Sequence, residues 1–168
     1  MSRWIIPIAV LPGTVLVLVP ALIAWATRDG PQAAEFAGFD SVLFWLAVLS
    51  GLPSAALSIW SMTMFFRFGE GTAAPWDPPR RLVVAGPYRH VRNPMLTGVF
   101  GLLIVEALCL QSWPLAAWTA VVIAGNAIYF PLVEEPKLLA RFGEDYRQYC
   151  RHVRRWLPRL RPWSQPAE

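Results

Sequence analysis

The sequence predicts an all-α integral membrane protein: a bundle of about four transmembrane helices with a C-terminal helical hairpin and an amphipathic cytoplasmic tail helix. Three observations carry this. Of 168 residues, 55% are hydrophobic and 15% charged, where soluble domains have roughly 45–50% and about 25%. Long stretches hold no charge at all. The arginines and the one lysine, Lys137, collect in the segments that flank those stretches, as they do in cytoplasmic loops.

From Trp4 to Ala26 no residue is charged, and about 20 apolar residues cross a hydrocarbon core of roughly 30 Å, so this is the first span. Arg3 and Ala24-Trp25-Ala26 imitate a signal peptide, but such peptides have an apolar core of only about 7–15 residues. The second run, Ser41 to Phe66, holds Gly51 and Pro53 at its middle, where a membrane helix tolerates a bend. The third apolar region, Met95 to Val133, is too long for one helix. It breaks at Gln111-Ser112-Trp113-Pro114, because proline discourages helix continuation. It therefore reads as a tight hairpin with arms of about 16 and 19 residues, the first near the lower limit for spanning.

Beyond Glu134, the residues Leu138, Phe142, Tyr146, Tyr149, Val153 and Leu157 recur every three or four positions. This makes one greasy face opposite a basic one and predicts a helix resting in the headgroup layer. Gly143, ahead of Glu144-Asp145, marks one helix stopping and another starting. Tyr146 and Tyr149 read as membrane-interface aromatics.

Charge fixes the orientation. Arg67, Arg80, Arg81, Arg89 and Arg92 lie between spans two and three. Lys137, Arg141, Arg147, Arg151, Arg154, Arg155, Arg159 and Arg161 follow span four, and Arg3 precedes span one. Four spans put these segments on one side and leave Arg28 with Asp29, Glu35 and Asp40 on the other, so both termini are expected in the cytoplasm, with the chain in the inner membrane. Residues 1–66 form an N-terminal two-helix region and 67–168 a loop, hairpin and tail, within one membrane domain. The net charge of +4 matches anionic lipid headgroups rather than nucleic acid. Cys109 and Cys150 offer neither a disulfide framework nor a CxxC cluster. His90 and His152 have no neighbours at ligand spacing, so no metal is expected.

The connection Arg67 to Asn93 is the most unusual segment. Trp76, Leu82, Val83, Val84 and Tyr88 give it apolar anchors that a flexible linker does not need, so it is expected to fold against the bundle and bring Tyr88, Arg89, Arg92 and Asn93 to the start of span three. Arginine supplies a rigid fork of donors for a carboxylate or phosphate, and asparagine both a donor and an acceptor. Topogenic arginines before a proline-set helix start would leave the same pattern. Glu134-Glu135 closes span four, and adjacent carboxylates at an apolar boundary need a positive partner: Arg89, Arg92 or a cationic ligand. Neighbours on a helix point about 100° apart, so at most one of the two faces a common site. Glu106 lies within span three, where an ionisable group pairs or functions; Asn126 and the Ser and Thr residues of span two are its candidate partners.

In order along the chain, Arg80-Arg81-Leu82-Val83, Gly86-Pro87-Tyr88, Arg92-Asn93-Pro94-Met95, a helical hairpin, Glu134-Glu135, Phe142-Gly143-Glu144-Asp145-Tyr146 and Tyr149 resemble the isoprenylcysteine carboxyl methyltransferase family and related bacterial phospholipid-methyltransferase-like proteins. The resemblance runs from about Gly69 to Pro158. It implies an integral membrane enzyme that transfers a methyl group from S-adenosylmethionine to the oxygen, nitrogen or sulfur of a membrane-accessible small or lipidic acceptor. It also implies cofactor contacts at Leu82, Val83, Tyr88, Asn93, Pro94, Met95, Leu96 and Glu134. Arg89 or Arg92 is the candidate for the cofactor carboxylate, and Glu135 and Arg92 are the candidate catalytic residues, with Glu135 nearest to act as a base. The prenylcysteine enzymes carry His where Asn93 stands, Tyr where Leu96 stands, and an Arg where Phe130 stands, so the cofactor role carries over better than a carboxylate acceptor. Two other readings remain: an NADPH-dependent membrane reductase of related fold, and a non-enzymatic membrane scaffold or assembly protein.

Overall fold

The structure, a computed structural model, describes residues 12–70 and 79–164. Arg3, the beginning of the first expected span, and Trp76 lie outside the described residues. Among these residues every regular element is helical. Helix α1, Thr14–Thr27, opens with a π turn over Thr14–Leu18. Helix α2 is Val42–Phe68 and α3 is Pro94–Cys109, with a single 3-10 turn, Gly86–Arg89, between them. Helix α4, Trp113–Tyr129, passes through a π turn, Phe130–Glu134, into α5, Glu135–His152. Among the described residues two helices are long and apolar enough to cross a membrane: α2, with 27 residues, and the continuous helical run that opens with α4. Helices α1 and α3 are apolar but shorter.

Helix α2 continues through Pro53. The hydroxyls of Ser50, Ser54, Ser61 and Thr63 each donate to the carbonyl four residues back, which satisfies them within the helix itself. The helix takes in Arg67, expected in the connection, because Phe65, Phe66 and Phe68 prolong the apolar run. It ends where the Gly69 amide donates to the Phe65 carbonyl at 2.8 Å. The amides of Arg80 and Arg81 return to the Gly69 carbonyl at 2.8 and 3.2 Å, so the connection closes on its own start.

Chain contacts define two compact units, Met1–Ala56 with Gly98–Gly125, and Leu57–Thr97 with Asn126–Glu168. In the first, the hairpin turns at Gln111, as the sequence predicts. Leu103 and Leu115 are buried there, and the Thr119 hydroxyl ties the arms by donating to the Leu103 carbonyl at 3.2 Å. The amides of Glu35 and Ala37 donate to the carbonyls of Leu110 and Cys109. Glu106 keeps one carboxyl oxygen, Oε2, buried without a hydrogen-bond partner.

The second unit contains every candidate site residue. Its core is Tyr146, Tyr149, Val153 and Trp163, with Leu82, Val84, Leu138 and Phe142 packed on it. Here the structure corrects the sequence reading: Tyr146 and Tyr149 are 5% and 3% exposed, hence core residues rather than interface aromatics. The greasy face of α5 is covered by the Leu82–Val84 segment and by Trp163, and Leu157, the last member of the periodic series, is left 64% exposed. Gly143 breaks α5 at φ 54°, ψ −126°, a conformation open to glycine and costly for other residues.

Candidate active site at the Arg92–Glu135 junction

The site is built on the turn after the connection. Gly86 has φ +53°, and a Cβ there would lie 2.9 Å from Met64 Cγ and 3.2 Å from Trp60 Nε1, so the close approach to α2 requires glycine. Tyr88 follows, packed on Phe65 with ring centroids 6.3 Å apart. Its carbonyl accepts the Tyr149 hydroxyl at 2.6 Å. Burial pushes the Tyr88 phenol well above the usual tyrosine range.

The same turn is gripped from the C-terminal side. The Arg92 amide donates to the Arg154 carbonyl (2.9 Å), the Arg159 amide to the His90 carbonyl (2.9 Å) and the Trp163 amide to the Arg89 carbonyl (3.0 Å). Arg89 Nε donates to the Trp163 carbonyl at 2.8 Å, and His90 Nδ1 to the Arg159 carbonyl at 2.8 Å. Residues 154–163 thus form a strap over residues 89–92.

Beside the turn lies a charge cluster. Glu135 accepts Arg155 through both nitrogens of its fork, Nε at 2.6 Å and Nη2 at 2.8 Å, and Arg92 Nη1 lies 3.1 Å from the same carboxylate. The side chains of Arg92, Glu135 and Arg155 are 12%, 18% and 30% exposed. Hydrogen bonding to Glu135 raises the Arg155 guanidinium further above its usual range. Two guanidiniums share one carboxylate, which leaves one positive charge in excess. Arg92 Nη1 also donates to Cys150 Sγ.

Arg92 Nε and Asn93 Nδ2, on neighbouring residues, are both buried with no hydrogen-bond partner. The Asn93 carbonyl, by contrast, is used to start α3, accepting the Thr97 amide (3.0 Å) and hydroxyl (2.9 Å). Pro94 follows, fully buried at the first helical position, where its missing N–H costs nothing.

The Arg92–Glu135 pair brings the Arg92-Asn93-Pro94 bend beside Glu134-Glu135. The two carboxylates diverge. Glu134 lies 3.5 Å from the Tyr129 hydroxyl, at the rim of an aromatic row in which Tyr129 and Phe130 are 6.0 Å apart and Phe130 and Trp156 5.8 Å apart. Of the other candidate residues, Val83 is buried, Leu82 packs on the tyrosine core, and Met95 and Leu96 are half-buried on the first turn of α3. The Met95 carbonyl accepts the Ser58 hydroxyl at 3.5 Å. Arg89 is engaged by the strap, through the Trp163 carbonyl and the Ser164 hydroxyl. Among the described residues no three His, Cys, Asp or Glu side chains gather as a metal ion would require.

Sequence reasoning missed Arg155 and Trp163. Arg155 is one of several tail arginines, and no spacing rule singles it out; Trp163 lies beyond the helical period. Tyr149 carried a usable signal, since it shares the apolar face with Tyr146 and Val153, and such a face requires a cover.

These features describe a helical membrane protein with a half-buried polar junction beside its connecting loop. The family model for phospholipid methyltransferase matches residues 39–145, well over half of the chain, and the chain belongs to that family of methyltransferases. The match takes in α2, the connection, the hairpin and the first part of α5, and stops short of Tyr146 and the strap. No curated protein and no solved structure matches the chain.

Proposed function

We propose that this protein transfers a methyl group from S-adenosylmethionine to an amine of a membrane-accessible lipidic acceptor, in a bundle of four spans with both termini in the cytoplasm. One observation carries the reading: Arg92 Nε and Asn93 Nδ2, on consecutive residues, are both buried without acceptors. Each orphaned donor costs about 1–3 kcal/mol, so the pair fits a polar ligand better than a finished core. The cofactor's carboxylate answers both donors and the excess positive charge of the Arg92–Glu135–Arg155 cluster. Leu82, Val83, Tyr88, Pro94, Met95 and Leu96 supply apolar walls, and Arg89 holds its place through the strap.

When bound, S-adenosylmethionine supplies a methyl group on a sulfonium, already joined to a good leaving group, so positioning is the protein's main task. Glu135 has both oxygens engaged by guanidiniums and fixes Arg92. Glu134 is the carboxylate with lone pairs to spare, for the positive charge of the donor and for the proton an amine gives up. An amine is favoured because Phe130 stands where a carboxylate acceptor would need an arginine, and because the row of Tyr129, Phe130 and Trp156 with Glu134 at its edge suits a cation.

Calorimetric titration of the detergent-purified protein with S-adenosylmethionine and with NADPH tests this. Saturable S-adenosylmethionine binding is expected, weakened about 10–100-fold in Asn93→Ala or Arg92→Gln by the loss of a charge-assisted hydrogen bond. Labelled methyl should appear in an ammonium headgroup after incubation with lipid extract. Saturable binding of NADPH alone would replace the reading with a reductase, and binding of neither with a scaffold.

A further inference from the structure

The strap carries an unused surface. Leu157 is 64% exposed and Leu160 98% exposed, on a segment that the backbone hydrogen bonds of Arg154, Arg159 and Trp163 hold in place. Around them Arg154 and Arg161 are exposed, Arg151 is exposed but lies 3.7 Å from Glu144, and from Arg151 to Ser164 the chain has no acidic residue. Two leucines standing out of a rigid basic segment have the composition of an interfacial anchor, with apolar tips for the acyl boundary and guanidiniums for phosphates. The face of α5 that the sequence offers to lipid is covered by protein; the strap has no such cover.

We infer that residues 154–161 dock on anionic lipid headgroups of the bilayer in which the chain sits, and that this docking sets the order of the Tyr88–Asn93 turn. The coupling is direct: the carbonyls of Arg89 and His90 and the amide of Arg92 are the groups the strap bonds, and Arg92 and Asn93 carry the two unsatisfied donors. A strap held at the lipid surface holds these donors in position; a loose strap releases them. The inference rests on the proposed cofactor site for its consequence, but not for the docking itself.

The test uses the full chain in nanodiscs of phosphatidylcholine alone or mixed with phosphatidylglycerol. Hydrogen exchange of the Arg92, Arg159 and Trp163 amides should slow in the mixed bilayer, by about fivefold for each arginine engaged. The double variant Leu157→Ser/Leu160→Ser, and separately Arg154→Gln/Arg161→Gln, should lose that slowing while melting like the parent in detergent. S-adenosylmethionine should bind more tightly in the mixed bilayer for the parent only.

Equal exchange in both bilayers with intact S-adenosylmethionine binding would overturn the docking and leave the cofactor reading standing. Lipid-dependent slowing without S-adenosylmethionine binding would uphold the docking and remove the cofactor reading. Slowing that persists in both double variants, or that appears only on adding an acidic polypeptide in detergent, would assign the surface elsewhere.

Discussion

Glu135→Gln is the sharpest probe of the junction. The native carboxylate accepts two charge-assisted hydrogen bonds from Arg155 and forms an ion pair with Arg92 at 3.1 Å. The amide can keep the one oxygen that Arg155 Nε and Arg92 Nη1 share, but it loses the bond to Arg155 Nη2 and the negative charge. Arg155, at 30% exposed, recovers water for that nitrogen, while Arg92, at 12%, is left without this counter-charge. Assigning about 1 kcal/mol to the lost Arg155 bond, discounted for solvent exposure, and about 2 to the uncompensated charge of Arg92 gives roughly 3 kcal/mol. For a chain of this size that lowers the melting temperature by about 6–12 °C. Arg155→Lys, which loses the fork, should cost about 1 kcal/mol by itself. The double variant should recover about 1 kcal/mol relative to additivity, because both changes remove the same bonds. Thermal unfolding followed by tryptophan fluorescence in one detergent measures all four proteins. A Glu135→Gln loss below about 0.5 kcal/mol, or strict additivity, would refute the buried network.

Three further outcomes follow from single contacts. Tyr149→Phe leaves the Tyr88 carbonyl without its donor and should cost about 1–3 kcal/mol, read by the same melts; a neutral result means water reaches that carbonyl. Gly143→Ala forces a side chain onto φ 54° and should destabilise by about 1–2 kcal/mol, whereas Gly125→Ala, with open space around it, serves as the control. Tyr88 is held neutral by burial, with its folded-state value above the usual 10.0. Its contribution is complete below about pH 10 and declines as pH rises, by at most about 1.4 kcal/mol per unit. Tyr88→Phe should flatten the alkaline limb of the melting temperature between about pH 9 and pH 11; an unchanged limb would show that another group governs it.

The sequence made the helices legible because uncharged runs and proline or glycine breaks are local signals. The hairpin turn at Gln111 and the stop at Gly143 both belong to this class. Arg92 and the acidic pair were legible as charges needing partners, and the partner of Arg92 proved to be Glu135. The end of α2 shifted past Arg67 because one arginine at a helix terminus does not outweigh three phenylalanines. Tyr146 and Tyr149 were misassigned because an amphipathic period reveals a face but not what covers it, lipid or protein. Arg155 and the strap were illegible because they act through backbone carbonyls and one long-range carboxylate, which leave no periodic mark.

The junction also explains why one carboxylate holds two arginines. A single buried ion pair would be electrically complete and would give an incoming anion nothing to gain. With Arg155 taking both oxygens of Glu135, Arg92 is held at one nitrogen while its Nε and the adjacent Asn93 amide remain unused. The cluster holds one positive charge in surplus beside those donors, so on the proposed reading the desolvation cost of Arg92 is largely met before the cofactor arrives. On the proposed reading, replacing Arg155 should weaken S-adenosylmethionine binding in the calorimetric titration through the position of Arg92, without removing a group that touches the cofactor. That separates Arg155, whose effect conservative repair of the fork would rescue, from Asn93, whose effect it would not.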